Sequence, residues 1–408
     1  MCAQPEVFSE SVVAGTVAEA VQSGRMHVLF LIDELCRKGG AETALLNTVR
    51  WLPSNRFRCS VITFRMDPGL PMLAEFPCPV KLLPLTCVYD WNAVQRGAQL
   101  AGFIRREKVD IVHTFFPSAD LWGGMIAKVA RCPVLVSSRR DMGFMRRAKH
   151  RMGYRILAPM FDKVLTVSEE VRHFSIEHDR LAPSRVSTLY NAVDLTRIPV
   201  TIDRHEIRGS LGVSGASQVI ASVGNIRNVK GFDVLVRAAA IVCREFPKAV
   251  FVIAGGQDPA EPQCLRELEK LCAELGIAGN VKFLGPLENV LLLLKASDAF
   301  CLLSRSEGFS NALLEAMACG IPCVASRVSG NSEALNDGTS GFLVESEDHE
   351  SAAAQICVLL RDRKLAQCMG ERGQSAIRAR FTPEIIIAQL VEIYDALLAA
   401  HKRPADEA

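Results

Sequence analysis

The chain has 408 residues, 49% hydrophobic and 23% charged, a balance that supports two globular domains with their own cores and excludes a disordered or fibrous chain. Its formal net charge of +2 supplies no global field for nucleic acid or acidic partners, so any anion site is local. The cysteines lie scattered through apolar runs such as AFCLL at 299–303 without a C-x-x-C pair, and Cys319 and Cys323 have no histidine near them; reduced thiols are expected, and neither disulfides nor a metal site.

Residues 1–25 lack the basic and then apolar pattern of a leader and are expected to form a poorly ordered extension. Met26 opens the first strand. HVLFLID at 27–33, CSVITF at 59–64, DIVHTF at 110–115, PVLVSS at 133–138 and KVLTVS at 163–168 are apolar runs separated by amphipathic helical stretches. After a polar stretch near 195–215 the rhythm resumes with QVIASVG at 218–224, AVFVIAG at 249–255, VKFLG at 281–285, AFCLLS at 299–304 and PCVAS at 322–326. Strands this apolar, each followed by a helix, predict parallel sheets covered on both faces. The expected fold class is therefore α/β, with two doubly wound Rossmann-like domains, 26–195 and 196–381, facing an interdomain cleft. Lys295 and Asp298 interrupt the longest apolar run, VLLLLKASDAFCLL, so no membrane-spanning helix is expected. FTPEIIIAQLVEIYDALLAAH at 381–401 reads as a helix with a Thr-Pro-Glu start and an apolar stripe.

Ligands in such sheets bind at the carboxyl ends of the strands, which directs attention to the loops there. In SRSEGFSNALLEAMACGIPCVA, 304–325, a strand ends, SEGFS forms the loop, and NALLEAMAC begins a helix that Ser310 or Asn311 can cap. Glu307 lies in the loop. Glu315 follows Asn311 by four residues and shares its helix face. A helix N-terminus favours an anion, and a carboxylate one turn further in can accept from vicinal hydroxyls, so a sugar or ribose carrying phosphate fits the pair. The helix terminus contributes only about 0.3–1 kcal/mol, against about 8 kcal/mol for micromolar binding. Dedicated cations are required. GNIRNVKG at 224–231 offers Arg227 and Lys230, a fork and a point charge suited to a diphosphate; the alternative is a pair of solvated loop charges. His113, in DIVHTF, reads equally as a histidine at the strand end in the cleft or as a satisfied histidine at the sheet edge.

The segment from VKFLG at 281 to GFLV at 344, with Glu307 and Glu315 separated by seven residues and followed by Gly330, Asn331 and Glu333, resembles the second domain of retaining GT-B glycosyltransferases of glycosyltransferase family 4. GGAE at 39–42, LYNAVD at 189–194 and KGFD at 230–233 extend the resemblance over nearly all of 26–400. The resemblance implies a metal-independent donor site for a nucleotide diphosphate sugar, UDP- or GDP-linked, bound as a co-substrate, with no cofactor. By it Glu315 would hold the ribose, Glu307 the sugar hydroxyls, and Arg227 with Lys230 the diphosphate. Asn225, Gly308, Phe309, Ser310 and Asn311 would line the donor site, and the Gly39-Gly40 turn would approach the phosphate or the acceptor from the first domain. The helix 382–400 would pack back on that first domain, which would take a lipid-linked or polysaccharide acceptor in cell-surface glycan synthesis. The chain contains no D-x-D motif, in keeping with metal independence. It departs from the family pattern at Asn225, where many relatives have Arg, which shifts the clamp to Arg227, and at Phe115, where many have a second histidine. No Asp or Glu stands out as a covalent nucleophile. A nucleotide-sugar epimerase and a catalytically silent nucleotide-sugar or lipid-binding scaffold are the alternatives.

The stretch SSRRDMGFMRRAKHRMGYRIL, 137–157, sets Arg139, Arg140, Arg146, Arg147, Lys149, Arg151 and Arg155 against the single acid Asp141. It reads either as a solvated surface helix or as contact with an anionic membrane or lipid-diphosphate acceptor. The latter fits a cytoplasmic protein peripheral at the inner face of the membrane. Nothing beside these charges supplies a stacking platform, so nucleic acid is not expected as a partner.

Overall fold

The computed structural model describes residues 24–36, 39–143, 148–213 and 218–402. The expected extension lies, up to residue 23, outside the described residues. The first half builds β1 (Met26–Leu35), β2 (Phe57–Met66), β3 (Val80–Leu82), β4 (Ile111–Phe115), β5 (Val134–Arg139), β6 (Lys163–Thr166) and β7 (Val186–Thr188). They pair in the order β3-β2-β1-β4-β5-β6-β7, every pair parallel. The second half builds β8 (Val219–Val223), β9 (Val250–Ala254), β10 (Val281–Gly285), β11 (Ala299–Leu302), β12 (Cys323–Ser326) and β13 (Phe342–Val344), in the all-parallel order β10-β9-β8-β11-β12-β13.

Both sheets are covered on two faces, as their unbroken apolar strands require. Val28 through Ile32 of β1 are inaccessible to solvent. Leu45, Leu46 and Val49 of the helix Gly40–Trp51 pack on one face of this sheet together with Ile387, Leu390, Val391 and Tyr394 of the last helix, Pro383–Lys402. Leu100, Ile104 and Trp122 pack on the other. In the second domain, the helices Phe232–Glu245 and His349–Arg361 cover one face, and Val290–Ala296 and Asn311–Ala318 the other.

The chain passes between the domains near 193 and again near 381, and the two crossings lie side by side, with Val193 N donating to Phe381 O over 2.8 Å. Tyr190, Phe309 and Phe381 pack beside them in tilted and edge-to-face contacts with centroids 4.9–5.4 Å apart. Every cysteine among the described residues is a free thiol, and no helix among them is long and apolar enough to cross a membrane.

Candidate functional site

β8 and β11 are neighbours, which brings the loops after them together although they are far apart in sequence. The turn Asn228–Lys230 passes into the helix Phe232–Glu245 through Gly231, whose φ of 62° is the left-handed region and whose Cβ position would collide with the carbonyl oxygen of Leu303. Pressed against the end of β11 in this way, Lys230 reaches Glu307: Nζ donates to Oε1 over 2.7 Å, and the same oxygen accepts from Ser304 Oγ, also at 2.7 Å. Both side chains are largely buried, Glu307 at 9% and Lys230 at 21% exposure, so the pair is held before any ligand arrives. Ser310 caps the next helix, its Oγ accepting from Leu313 N. Asn311 and Glu315 occupy the first and fifth positions of that helix.

Arg227 does not join Lys230. Its guanidinium turns to Asp258, 3.7 Å away and 5% exposed, and its Nε is buried without a hydrogen-bond partner. There it lines a groove of about 290 Å³ with Asp233, Arg237, Cys264 and Leu268. The expected two-cation clamp is thus divided, because a buried carboxylate in the loop after β9 draws one member away. Asn225 sits between the loops after β8 and β9, its Oδ1 3.9 Å from where a Cβ on Gly256 would lie.

The first domain closes over the loop that carries Glu307. A Cβ on Gly308 would collide with the carbonyl oxygen of Arg140. Arg140 hydrogen-bonds Asn191 Oδ1, and Asn191 Nδ2 donates to Phe309 O at 2.9 Å and to Asn311 Oδ1 at 2.7 Å. The Gly39-Gly40 turn stands opposite, 3.9 Å separating a Cβ position on Gly40 from Asn311 Nδ2. Burial brings the Arg140 guanidinium down to about 10, against the pull of the Glu42 and Asp141 carboxylates.

His113 is a buried, partnered side chain. Nδ1 lies 2.6 Å from the Tyr394 hydroxyl and Nε2 2.8 Å from Ser138 Oγ, so a neutral ring is satisfied at both ends in either tautomer. It stacks on Phe115 at 5.1 Å, and burial lowers its pKa to about 3. The ring is satisfied, as one of the two sequence readings had it, but not at the sheet edge: β4 lies between β1 and β5 in the middle of the sheet, and the ring also borders a cavity of about 40 Å³ with Arg140, Asn191 and Asn311.

The basic stretch 137–157 is not one surface. Arg139 belongs to β5 and is 2% exposed; it pairs with Asp120, which also accepts from Ser137 Oγ at 2.6 Å and Tyr154 OH at 2.8 Å. Its guanidinium stacks on the Tyr154 ring at 4.0 Å. A charge so deep requires such partners, which corrects the expectation of a continuous surface segment. Arg146 and Arg147, and the side chain of Lys149, lie outside the described residues. The helix Ala148–Leu157 does turn Arg151, Met152, Arg155 and Ile156 to solvent.

Ser304, Arg140 and Asn191 complete the site and carried no assignment from sequence. Asn191 stood in the LYNAVD motif, a usable signal, whereas Arg140 was hidden in a basic stretch read as either solvated or facing an anionic surface. Among the described residues no group of three or more His, Cys, Asp or Glu could hold a metal ion. The arrangement can hold an anion and polyol between one helix N-terminus, one lysine and carboxylates.

The Glycosyl transferases group 1 model matches residues 203–376, and the Glycosyltransferase Family 4 model matches residues 38–197. D-inositol 3-phosphate glycosyltransferase of Nocardia farcinica is 31% identical over 78% of this chain and 72% of its own length. The Escherichia coli UDP-Gal:alpha-D-GlcNAc-diphosphoundecaprenol alpha-1,3-galactosyltransferase is 24% identical over 87% of this chain and 93% of its own. Matches to other curated relatives span only 43–66% of their length. The crystal structure of Anabaena HepE in complex with UDP and glucose superposes with a TM-score of 0.80 at 22% identity, over 91% of this chain and all of that one. With successive halves matched by the two models and a relative this similar over most of its length, the chain belongs to glycosyltransferase family 4 and has the GT-B fold.

Proposed function

We propose that the protein is a retaining, metal-independent glycosyltransferase that moves a hexosyl group from a nucleotide diphosphate sugar to a lipid-linked or saccharide acceptor in cell-surface glycan synthesis. The observation that carries this reading is the Lys230–Glu307 pair, set at the N-terminus of the Asn311–Ala318 helix with Glu315 one turn inside. Glu315 holds the ribose and Glu307 the hydroxyls of the donor sugar. Lys230 meets the diphosphate, whose charge grows as the glycosidic bond breaks, so its contribution is larger in the transition state than in the ground state. Arg227 stays with Asp258, and Arg140 supplies a second positive charge from the acceptor side. UDP in the HepE complex and the diphosphoundecaprenol acceptor of the E. coli relative support the substrate classes. The outer face of Ala148–Leu157, with two exposed arginines beside Met152 and Ile156, suits an anionic inner-membrane surface.

The test is thermal stabilisation by UDP, GDP, ADP and CMP and their sugars without metal, followed by transfer assays with lipid-linked acceptors. Selective stabilisation that Glu315→Ala abolishes, with nucleotide release accelerated by acceptor, is expected. Binding without turnover would establish the silent scaffold, and a changed sugar without acceptor the epimerase.

A further inference from the structure

Glu333 has no part in the donor chemistry proposed above, yet its carboxylate spans the two domains. It belongs to the short helix Asn331–Ala334 of the second domain, while its partners belong to the first domain and the crossing segment. Glu333 Oε2 accepts from Glu169 N at 2.9 Å and from the Tyr190 hydroxyl at 2.9 Å, and Oε1 accepts from Glu170 N at 3.3 Å. Those two amides are the first of the helix Glu169–Asp179, whose third, Val171 N, is taken by Ser168 Oγ. The first turn of a helix leaves its N–H groups without partners inside the helix and carries partial positive charge, so a carboxylate is the preferred cap. Here the cap comes from the opposite domain.

The same element bears on the donor loop. Gly330, three residues before Glu333, lies so close to Gly308 and Phe309 that a Cβ would collide with Gly308 O and the Phe309 ring. Gly308 in turn abuts Arg140 O, and Glu307 is its chain neighbour. The carboxylate that grips the first domain is therefore one rigid step from the carboxylate assigned to the donor sugar.

We infer that Glu333, with Tyr190, is a positioning residue: it latches the closed cleft by capping the Glu169–Asp179 helix, and through Gly330 it seats the Glu307 loop against the first domain. Opening the cleft to exchange nucleotide breaks all three hydrogen bonds, and closure re-forms them. Burial and the Glu333 carboxylate both hold the Tyr190 hydroxyl protonated, so it remains a donor throughout the working pH range.

The inference rests on the transferase reading for its kinetic arm alone. Glu333→Gln keeps the shape but loses the charge, and turns one acceptor into a donor facing other donors. Expected are a fall in kcat/KM for the acceptor of about tenfold, the factor equivalent to about 1.4 kcal/mol, a donor Kd within twofold of wild type, an unchanged melting temperature, and a larger radius of gyration in solution scattering with UDP or GDP bound. Tyr190→Phe should move the same quantities less, and Glu333→Asp should recover part of the rate. A Gln variant with wild-type scattering and acceptor kinetics overturns the latch. So does one that loses donor binding and thermal stability together, since Glu333 would then merely hold the second domain's fold. Should no acceptor be turned over by wild type, the scattering arm still decides: an unopened variant refutes the latch whatever becomes of the transferase reading.

Discussion

The Lys230–Glu307 contact sets the two proposed donor-site roles in one largely buried pair, and its two members should fail differently. On the proposed reading, Lys230→Ala removes the cation that would meet the leaving diphosphate and leaves Glu307 buried with Ser304 as its remaining side-chain donor among the described residues. Its kcat should fall on the order of a hundredfold, the scale of losing one preorganised donor to a developing anion, and donor affinity should weaken as well. Glu307→Gln should lower turnover with a smaller change in nucleotide Kd, because in the proposed site the sugar rather than the nucleotide is its partner. Steady-state kinetics beside calorimetry separate these outcomes, and wild-type turnover in both variants would sink the donor-site assignment. His113 supports a second prediction at this scale. Burial holds its folded pKa near 3, below the unfolded value of about 6.5. The folded ring stays neutral while the unfolded ring takes a proton below 6.5. The stabilisation is complete above pH 6.5 and is lost as pH falls towards 3, at about 1.4 kcal/mol per unit. Between pH 7.5 and 5.0 the wild type should lose about 2 kcal/mol more unfolding free energy than His113→Gln. Asp33, raised to about 6 by burial, acts in the opposite sense and cancels in that comparison; equal losses would show that His113 titrates freely.

Among elements, the turn from β8 into its helix is the most sensitive, because Gly231 is required by both a left-handed φ and the Leu303 carbonyl. Gly231→Ala should cost at least 2 kcal/mol, from about 1–2 kcal/mol for the left-handed backbone plus relief of the collision. Urea unfolding would measure that loss, and donor affinity should fall with it as Lys230 is displaced; an unaffected variant would mean the turn is not fixed. This region also marks how far the sequence could be read. The long strands were legible because both of their faces are buried and their apolar runs are continuous. β3, β7 and β13 were not, since three residues at or near a sheet edge leave no period to detect. Glu307, Lys230 and the Ser310 cap were legible from strand-end position and motif spacing. The direction of Arg227 was not, because it depends on Asp258, thirty-one positions on in a different loop, and only the pairing of β8 with β9 brings the two together. Arg139 and Arg140 misled for a related reason: composition shows the charges of a segment but not the carboxylates and carbonyls that other elements bring to meet them.

At the scale of the whole molecule, the last helix makes one domain depend on the far end of the chain. Ile387, Leu390, Val391, Tyr394 and Leu398 are buried in the first domain's core, and Tyr394 also satisfies His113. At about 1.5–3 kcal/mol for each buried side chain, their removal costs on the order of 10 kcal/mol, comparable to the entire stability of an ordinary domain. A chain ending at Thr382 should therefore lose the first domain while keeping the second, whose two sheet faces are covered by its own helices. Calorimetry should show one transition missing. Nucleotide should still stabilise the remaining transition, since Lys230, Glu307 and Glu315 all lie before the cut, and transfer activity should vanish because the acceptor side is gone. If the shortened chain melts like wild type, the helix is only an ornament of the core. If nucleotide stabilisation disappears along with the first domain, the two halves fold as a single cooperative unit, and the contacts of Asn191 and Glu333 across the cleft would then serve the fold itself as well as closure.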